Sequence, residues 1–250
     1  YTAQTTGTHW VVLKTGVCCG GGPATITLDE FTVSEGGGGI VYDAPPTPLF
    51  DDFEDADIRN NYGGNYTAFA GGDPGGVFEV QDGKMSITIV DGLGTGGSRA
   101  LNIKSSSNIE GTSFVYYGGF TNLNPNGGTP VDISGFNSLR FDARLGDSAG
   151  ATLLWLVRLE DTTNAPLNNR WNYQLLGDTL STTWKTYSIP LSDFADGNAD
   201  GGLAAPNLQA VKSIVWVSID GETTGSQNVD LLIDNLALSM DAEVPDWSLY

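Results

Sequence analysis

The chain has 250 residues and a formal net charge of −19 at pH 7. This acidity opposes binding to nucleic acid or to an anionic membrane, because both need clustered Lys and Arg. Gly occupies 34 positions whereas Lys and Arg together occupy 11, so residues typical of turns are plentiful and strong helix formers are scarce. No apolar run reaches the length of a membrane span, about 18 residues. The composition predicts a folded, all-β protein with neither a nucleic-acid partner nor membrane insertion.

Residues 1–35 are predicted to form a β-hairpin, because they resemble the end of the chain. Residues 9–34 align without a gap on residues 214–239 with five identities, and Leu28-Asp29 falls on Ile233-Asp234. A two-stranded hairpin alone is marginal in water. It therefore belongs to a preceding module, docks onto the main body, or adds strands to a neighbouring subunit, and the sequence leaves these three possibilities open.

The two cysteines, Cys18 and Cys19, are adjacent in the same segment. Their number excludes a framework of several disulfides. A vicinal disulfide, a bond to another chain and two free thiols all remain open. Because His9 is the single histidine of the chain, the cysteine pair cannot complete a four-ligand zinc site.

Residues 36–49 combine four consecutive Gly with three Pro, and this composition predicts a linker. The main body follows from residue 50 to residue 240, and residues 241–250 are predicted to be a tail or the start of another linker. In the body, short alternating apolar stretches lie between clusters of Gly, Asn, Asp and Pro, which is typical of a sandwich or barrel. The predicted strands are residues 77–80, 84–90, 99–104, 112–118, 138–145, 151–160, 171–176, 183–189, 211–219 and 229–238. Residues 191–194 form the best candidate for a short helical turn.

Four segments of the body follow one another in order. They are Phe50-Asp51-Asp52-Phe53-Glu54-Asp55-Ala56-Asp57, Val131-Asp132-Ile133-Ser134-Gly135-Phe136-Asn137-Ser138-Leu139-Arg140-Phe141-Asp142, Thr183-Trp184-Lys185-Thr186-Tyr187-Ser188-Ile189-Pro190-Leu191-Ser192-Asp193-Phe194 and Leu232-Ile233-Asp234-Asn235-Leu236-Ala237-Leu238. Together they resemble the family 11 type of carbohydrate-binding modules and the related complex I intermediate-associated protein 30 domains. Both belong to the galactose-binding-like jelly rolls, so the resemblance implies a two-sheet antiparallel β-sandwich. It also implies non-catalytic binding of glucan chains and a structural calcium ion.

A polysaccharide site needs aromatic faces that stack on sugar rings, and planar polar groups that hydrogen-bond the hydroxyls. Period-two alternation along the predicted strands directs several such side chains away from the core. The predicted ligand-binding residues are Arg144, Arg158, Trp171, Tyr173, Trp216 and Asp220. The alternative for the three aromatic residues is that they pack inside the sandwich, and the charged residues could equally form a cross-strand ladder on a solvated face.

The predicted calcium site comes from the same resemblance. In related sandwiches a Glu just after the opening Phe and an Asp in the closing strand bind one ion, which corresponds here to Glu54 and Asp234. Asp52 and Asp57 are the predicted neighbours. Calcium prefers carboxylate and carbonyl oxygens, which this acidic stretch supplies. The alternative is that residues 51–57 form an acidic turn exposed to water.

Two functions remain at this stage. The first is non-catalytic binding of a β-glucan or related polysaccharide by a module of a secreted or cell-surface protein, which could accompany a glycoside hydrolase. The second is a structural subunit or repeat of an extracellular filament, surface layer or adhesin, in which copies assemble through the N-terminal hairpin. We expect no catalysis, since Gly-x-Ser-x-Gly and phosphate-binding loops are absent from the sequence.

Overall fold

The computed structural model describes residues 49–125, 129–147, 155–161, 169–175, 180–196, 205–220 and 225–240. The chain divides into two units, Tyr1–Asp43 and Ala44–Tyr250, with the division inside the predicted linker. The predicted hairpin at residues 1–35 and the tail at 241–250 lie outside the described residues, so both stay predictions. Within the described residues no helix is long and apolar enough to cross a membrane.

The described elements are β-strands and short 3-10 turns, as the composition predicts. The turns are Pro74–Gly76, Asp82–Lys84, Thr95–Gly97 and Leu191–Asp193, and the last of these corresponds to the predicted turn at 191–194. The strands are β1 (Leu49–Asp51), β2 (Tyr66–Gly72), β3 (Glu79–Val80), β4 (Met85–Val90), β5 (Ala100–Ser105), β6 (Ile109–Gly111), β7 (Val115–Asn122), β8 (Ser138–Leu145), β9 (Trp155–Asp161), β10 (Asn169–Leu175), β11 (Lys185–Pro190), β12 (Ala195–Asp196), β13 (Val211–Asp220), β14 (Gly225–Gln227) and β15 (Asp230–Ser239).

The strands form two main antiparallel sheets. In the six-stranded sheet the order is β11-β8-β15-β5-β4, and β1 also pairs with β15. The seven-stranded sheet has the order β12-β10-β9-β13-β7-β2-β3, and β14 and β6 form a small separate ribbon. Neighbours within each sheet are often distant in sequence, so the chain alternates between the sheets. This arrangement confirms the predicted two-sheet antiparallel sandwich.

The core lies between the inner faces of the two sheets. Leu139 and Phe141 of β8 alternate with the exposed Arg140, as period-two patterning requires. Phe141 meets Trp216 of β13 edge to face, with ring centroids 6.1 Å apart, and this contact joins the two layers. Each large apolar side chain buried in this way contributes about 1.5–3 kcal/mol to folding.

All ten predicted strands overlap an observed strand, but β2 was not predicted. Its sequence, Tyr-Thr-Ala-Phe-Ala-Gly-Gly, is rich in small residues, so its apolar alternation is weak. β2 nevertheless pairs along its whole length with β7, from Tyr66 opposite Thr121 to Gly72 opposite Val115. This omission matters for function, because β2 forms part of the site described next.

Candidate functional site

A groove of about 600 Å³ lies on the face of the seven-stranded sheet that points away from the core. We call it the aromatic groove. Its aromatic part is formed by Phe69, Phe114, Tyr116 and Phe120, and its polar part by Asp82, Asn122, Arg158, Glu160, Lys212 and Ser213. Val80, Val215 and Val217 complete the lining.

Strand register explains why these residues meet. Val215 of β13 pairs with Phe120 on one side and with Arg158 on the other, so the three side chains form a row across the sheet. One step along the strands, Ser213 pairs with Asn122 and with Glu160. The charged groups Arg158, Glu160 and Lys212 therefore lie on β9 and β13, while Phe69, Tyr116 and Phe120 lie on β2 and β7.

The rings of Tyr116 and Phe69 lie over glycines of the neighbouring strand. Tyr116 pairs with Gly71, and a Cβ atom at Gly71 would lie 2.7 Å from the ring atoms Cε1 and Cζ of Tyr116 and from its hydroxyl oxygen. Phe69 pairs with Gly118, where a Cβ atom would lie 3.0 Å from the Phe69 Cζ. Because the glycines carry no side chain, each ring can lie close to the backbone of the neighbouring strand. The groove floor therefore presents ring surfaces to solvent.

The rings form a continuous series. The centroid of Phe69 is 6.0 Å from that of Tyr116 and 6.3 Å from that of Phe120, with interplanar angles of 36° and 39°. Phe114 adds a further contact to Tyr116 at 5.6 Å. Burial, and then the nearby Asp82, raise the pKa of the Tyr116 hydroxyl above its ordinary value of 10.0. Tyr116 is therefore a neutral phenol at neutral pH.

The polar part of the groove is held by hydrogen bonds to the sheet. The Ser213 hydroxyl donates to Glu160 Oε2 at 3.0 Å, and the Ala70 amide donates to Asp82 Oδ1 at 2.7 Å. Arg158 is only 7% exposed. The lining contains two carboxylates, Asp82 and Glu160, and two cations, Arg158 and Lys212, so its described residues carry no net formal charge.

Of the predicted ligand-binding residues, the structure places Arg158 in the aromatic groove and two others elsewhere. Trp216 is 1% exposed and packs on Phe141, so it is a core residue and the prediction of a ligand contact is corrected. Arg144 belongs to β8 in the six-stranded sheet, where its guanidinium carbon lies 5.4 Å from the Trp184 ring centroid. It is not in the groove, because β8 forms part of the other sheet.

For Trp171, Tyr173 and Asp220 the structure gives the backbone position only. Trp171 pairs with Leu159 and Tyr173 with Val157. Both partners are fully buried. Asp220 pairs with Val115 at the end of β13. A ligand contact for these three residues stays a prediction.

The predicted calcium ligands Glu54 and Asp234 meet at one loop. The Arg99 amide donates to Glu54 Oε1 at 2.8 Å, and the Thr95 amide donates to Asp234 Oδ2 at 2.7 Å. Asp52 and Asp57 instead accept hydrogen bonds from amides two residues further along the chain. In the part of the chain that the structure describes, no three His, Cys, Asp or Glu side chains form a group that could hold a metal. Glu54 and Asp234 therefore lie at the same loop, and the calcium site with its four ligands stays a prediction.

The sequence did contain a signal for the groove aromatics that our prediction missed. Phe69-x-Gly71 and Tyr116-x-Gly118 each place an aromatic residue and a glycine on the same face of a strand. Pairing the two strands in register sets each ring against the partner's glycine. The register itself is not visible in the sequence, since residues 66–72 and 115–122 are more than 40 positions apart.

Ring surfaces beside polar groups on one sheet of a β-sandwich are suited to stacking on a sugar ring and hydrogen-bonding its hydroxyls. The family model of carbohydrate binding domain 30 matches residues 59–240, which is most of the chain and nearly all of the sandwich. The chain belongs to this family. A comparison with curated proteins gave no match.

Solved structures similar to this chain include family 11 modules, which confirms the resemblance at the level of the fold. One is the family 11 module of the cellulosomal cellulase Lic26A-Cel5E of Clostridium thermocellum, with a TM-score of 0.53 and 19% identity over 79% of this chain and 96% of that one. Another is the family 11 module from Clostridium thermocellum in complex with a β-1,3-1,4-mixed-linked tetrasaccharide. It has a TM-score of 0.54 and 20% identity over 78% of this chain and 96% of that one.

Proposed function

We propose that the aromatic groove binds a neutral polysaccharide of the β-glucan class without cleaving it. Pyranose rings stack on Tyr116, Phe69 and Phe120, whose faces lie open along the groove floor. The hydroxyls of the sugar exchange hydrogen bonds with Arg158 and Asn122, which lie beside the rings. The observation that carries this proposal is the pair of rings lying over Gly71 and Gly118.

Charge favours a neutral ligand over an acidic one. The described groove lining is balanced, with two carboxylates and two cations, and the whole chain carries a formal charge of −19. A polyanionic polysaccharide would be repelled by the protein as a whole and would gain no excess of positive charge in the groove. The similar family 11 module was solved in complex with a β-1,3-1,4-mixed-linked tetrasaccharide, which supports the choice of a β-linked polysaccharide.

The proposal of binding without catalysis rests on the family and on the roles of the two groove acids. Glycoside hydrolysis needs one carboxyl group that donates a proton and another that acts as base or nucleophile. Glu160 and Asp82 instead accept hydrogen bonds from Ser213 and from the β2 backbone. We expect no release of reducing ends when the protein is incubated with a β-glucan.

Affinity electrophoresis and calorimetry on a panel of soluble polysaccharides test the proposal. The native protein should be retarded by one or more neutral β-glucans and should migrate freely in a polyuronate. Tyr116→Ala should weaken glucan binding about tenfold, because a stacked ring contributes about 0.5–1.5 kcal/mol beyond its buried area. Trp184→Ala is the matched control, since Trp184 directly precedes β11 of the other sheet and does not line the groove. Free migration of the native protein in every glucan would refute the proposal.

A structural calcium ion is a separate proposal, and the sequence resemblance alone carries it. Glu54 and Asp234 would be two of its ligands, and backbone carbonyls and water would complete the shell. An ion that binds only the native state stabilises it by mass action, so a chelator should lower the melting temperature. An unchanged melting temperature would leave these carboxylates with the single role of holding the loop at residues 95–99.

We also propose that the protein acts outside the cell or at the cell surface, where it can reach polysaccharide chains. Protease treatment of intact source cells should remove it from the surface, or the culture medium should contain it. The alternative function, assembly of copies through the N-terminal hairpin, depends on residues outside those described and has no support from the groove. Deletion of residues 1–35 should leave glucan binding intact under our proposal.

A further inference from the structure

The segment that leads into the edge strand β3 carries an unusual amount of exposed apolar surface. Val77, Phe78 and Val80 are 69%, 56% and 65% exposed. They account for three of the six large apolar side chains that are exposed among the described residues. Exposed apolar surface concentrated in one place marks a binding site more often than scattered residues do.

Phe78 continues the series of rings beyond the aromatic groove. Its ring is nearly parallel to that of Tyr116, with an interplanar angle of 9° and a centroid separation of 6.2 Å. Atoms of stacked rings meet at about 3.5–4.0 Å, so parallel rings at this separation are displaced sideways and leave each other's faces largely uncovered. Phe78 does not line the groove itself. Phe78 therefore extends the series of aromatic rings beyond Tyr116, outside the groove lining.

Asp73 fixes the segment that carries Phe78. Its Oδ1 accepts hydrogen bonds from the amides of Thr112, Ser113 and Phe114 at 2.8, 2.9 and 2.8 Å, and Oδ2 accepts one from the Ser113 hydroxyl. The Asp73 amide also donates to the Phe114 carbonyl oxygen at 3.1 Å. These bonds tie the start of the segment to the loop just before Tyr116. The start of the segment that carries Phe78 is therefore anchored next to Tyr116.

We infer that Phe78 is a further sugar-stacking position, used only by chains long enough to extend beyond the groove over the edge of the sheet. The inference rests on the proposed function of the groove. The occupant is the same polysaccharide chain, because Phe78 is continuous with Tyr116 and because β3, as the edge strand, leaves that end of the sheet open. A polymer should accordingly bind more tightly than an oligosaccharide that covers only the groove.

The test is calorimetry with a β-glucan oligosaccharide series of increasing length, on the intact chain. Native protein should bind with affinity that rises with length and then reaches a plateau. Phe78→Ala should leave the shortest bound ligand unaffected and lower the affinity for the longest about two- to tenfold, which is the contribution of one stacked ring. Phe78→Trp should restore the dependence on length.

Val77→Ala is the matched control, since Val77 is exposed on the same segment and has no ring; it should bind every length as the native protein does. Equal weakening at all lengths by Phe78→Ala would show that Phe78 only supports Tyr116, and would overturn the inference. No weakening at any length would overturn it as well, while the groove proposal would stand. If the native protein binds none of the oligosaccharides and none of the polymers, both proposals fail together.

Discussion

Substituting Gly71 by Ala tests whether the ring of Tyr116 contacts the glycan. The added Cβ atom would lie 2.7 Å from two ring carbons of Tyr116 and from its hydroxyl oxygen, whereas carbon atoms in contact lie about 3.5–4.0 Å apart. The ring must therefore rise by about 1 Å toward the groove. It can do so because Tyr116 is only partly buried, and the backbone at Gly71 does not have a positive φ.

The expected cost is larger for binding than for folding. A ring raised by about 1 Å pushes the stacked sugar away from Arg158 and the other polar groups, and we expect the affinity for β-glucan to fall about tenfold, or about 1.4 kcal/mol. Overpacking of this kind costs about 1 kcal/mol when the displaced group can move outward. In a chain of this length that corresponds to about 2–4 °C in melting temperature.

Calorimetry and thermal melts of three variants check this reasoning. Gly83→Ala is the control, because a Cβ atom there has nothing within 4 Å; we expect unchanged affinity and the same or slightly higher stability. In the double variant Gly71→Ala with Tyr116→Ala there is no ring to displace, so the affinity should equal that of Tyr116→Ala alone. Native affinity in Gly71→Ala would refute the assignment of Tyr116 as a stacking residue.

Three further substitutions have distinct expected results. Burial raises the pKa of Asp51 from 3.8 to about 7. Between these two pH values the Asp51 carboxyl keeps its proton in the native state but has lost it in the unfolded state. The stability from this group is therefore complete below about pH 4 and declines by up to about 4 kcal/mol as the pH rises through 7. Asp51→Asn should remove most of that decline in chemical unfolding at pH 4–8, and an unchanged pH profile would contradict the assignment. Hydrogen bonds from Ser113 and neighbouring amides hold the pKa of Asp73 below its usual range, so glucan binding should persist in acid, whereas Asp73→Ala should weaken binding of long oligosaccharides by freeing Phe78. Loss of binding by the native protein at pH 4–5 without unfolding would count against this role. Trp216→Ala should lower the free energy of unfolding by about 3–5 kcal/mol, as expected for a large core aromatic residue; a stable variant with weakened glucan binding would restore Trp216 to the ligand site.

The sequence was sufficient to predict the sandwich, because strands are marked by a local alternation of apolar and polar residues. In β8, Leu139, Phe141 and Ala143 alternate with Arg140 and Asp142, and the alternation identifies both the strand and its inner face. Gly, Asn and Pro between such stretches mark the turns. The predicted boundaries of β8 at residues 138 and 145 coincide with the observed ones. Strands with weak alternation, such as β2, were missed for the same reason.

The candidate site was predicted only in part, because it depends on pairing between strands distant in sequence. Arg158 was identified since it interrupts an apolar strand with a charge. Trp216 was misassigned, because both faces of β13 carry buried residues and alternation alone cannot say which of them meets the other sheet. Arg144 was placed with Arg158, although the topology puts their strands in different sheets.

What the sequence by itself determined is the all-β class, the two-sheet sandwich and the resemblance to carbohydrate-binding modules. Only the tertiary structure decided where the groove lies. Pairing of β2 with β7 sets Phe69 against Gly118 and Tyr116 against Gly71, and pairing of β13 with β9 sets Arg158 beside them. Local patterning fixes which residues form a strand, but the neighbours of a strand depend on the packing free energy of the whole sandwich, to which contacts far apart in sequence contribute most.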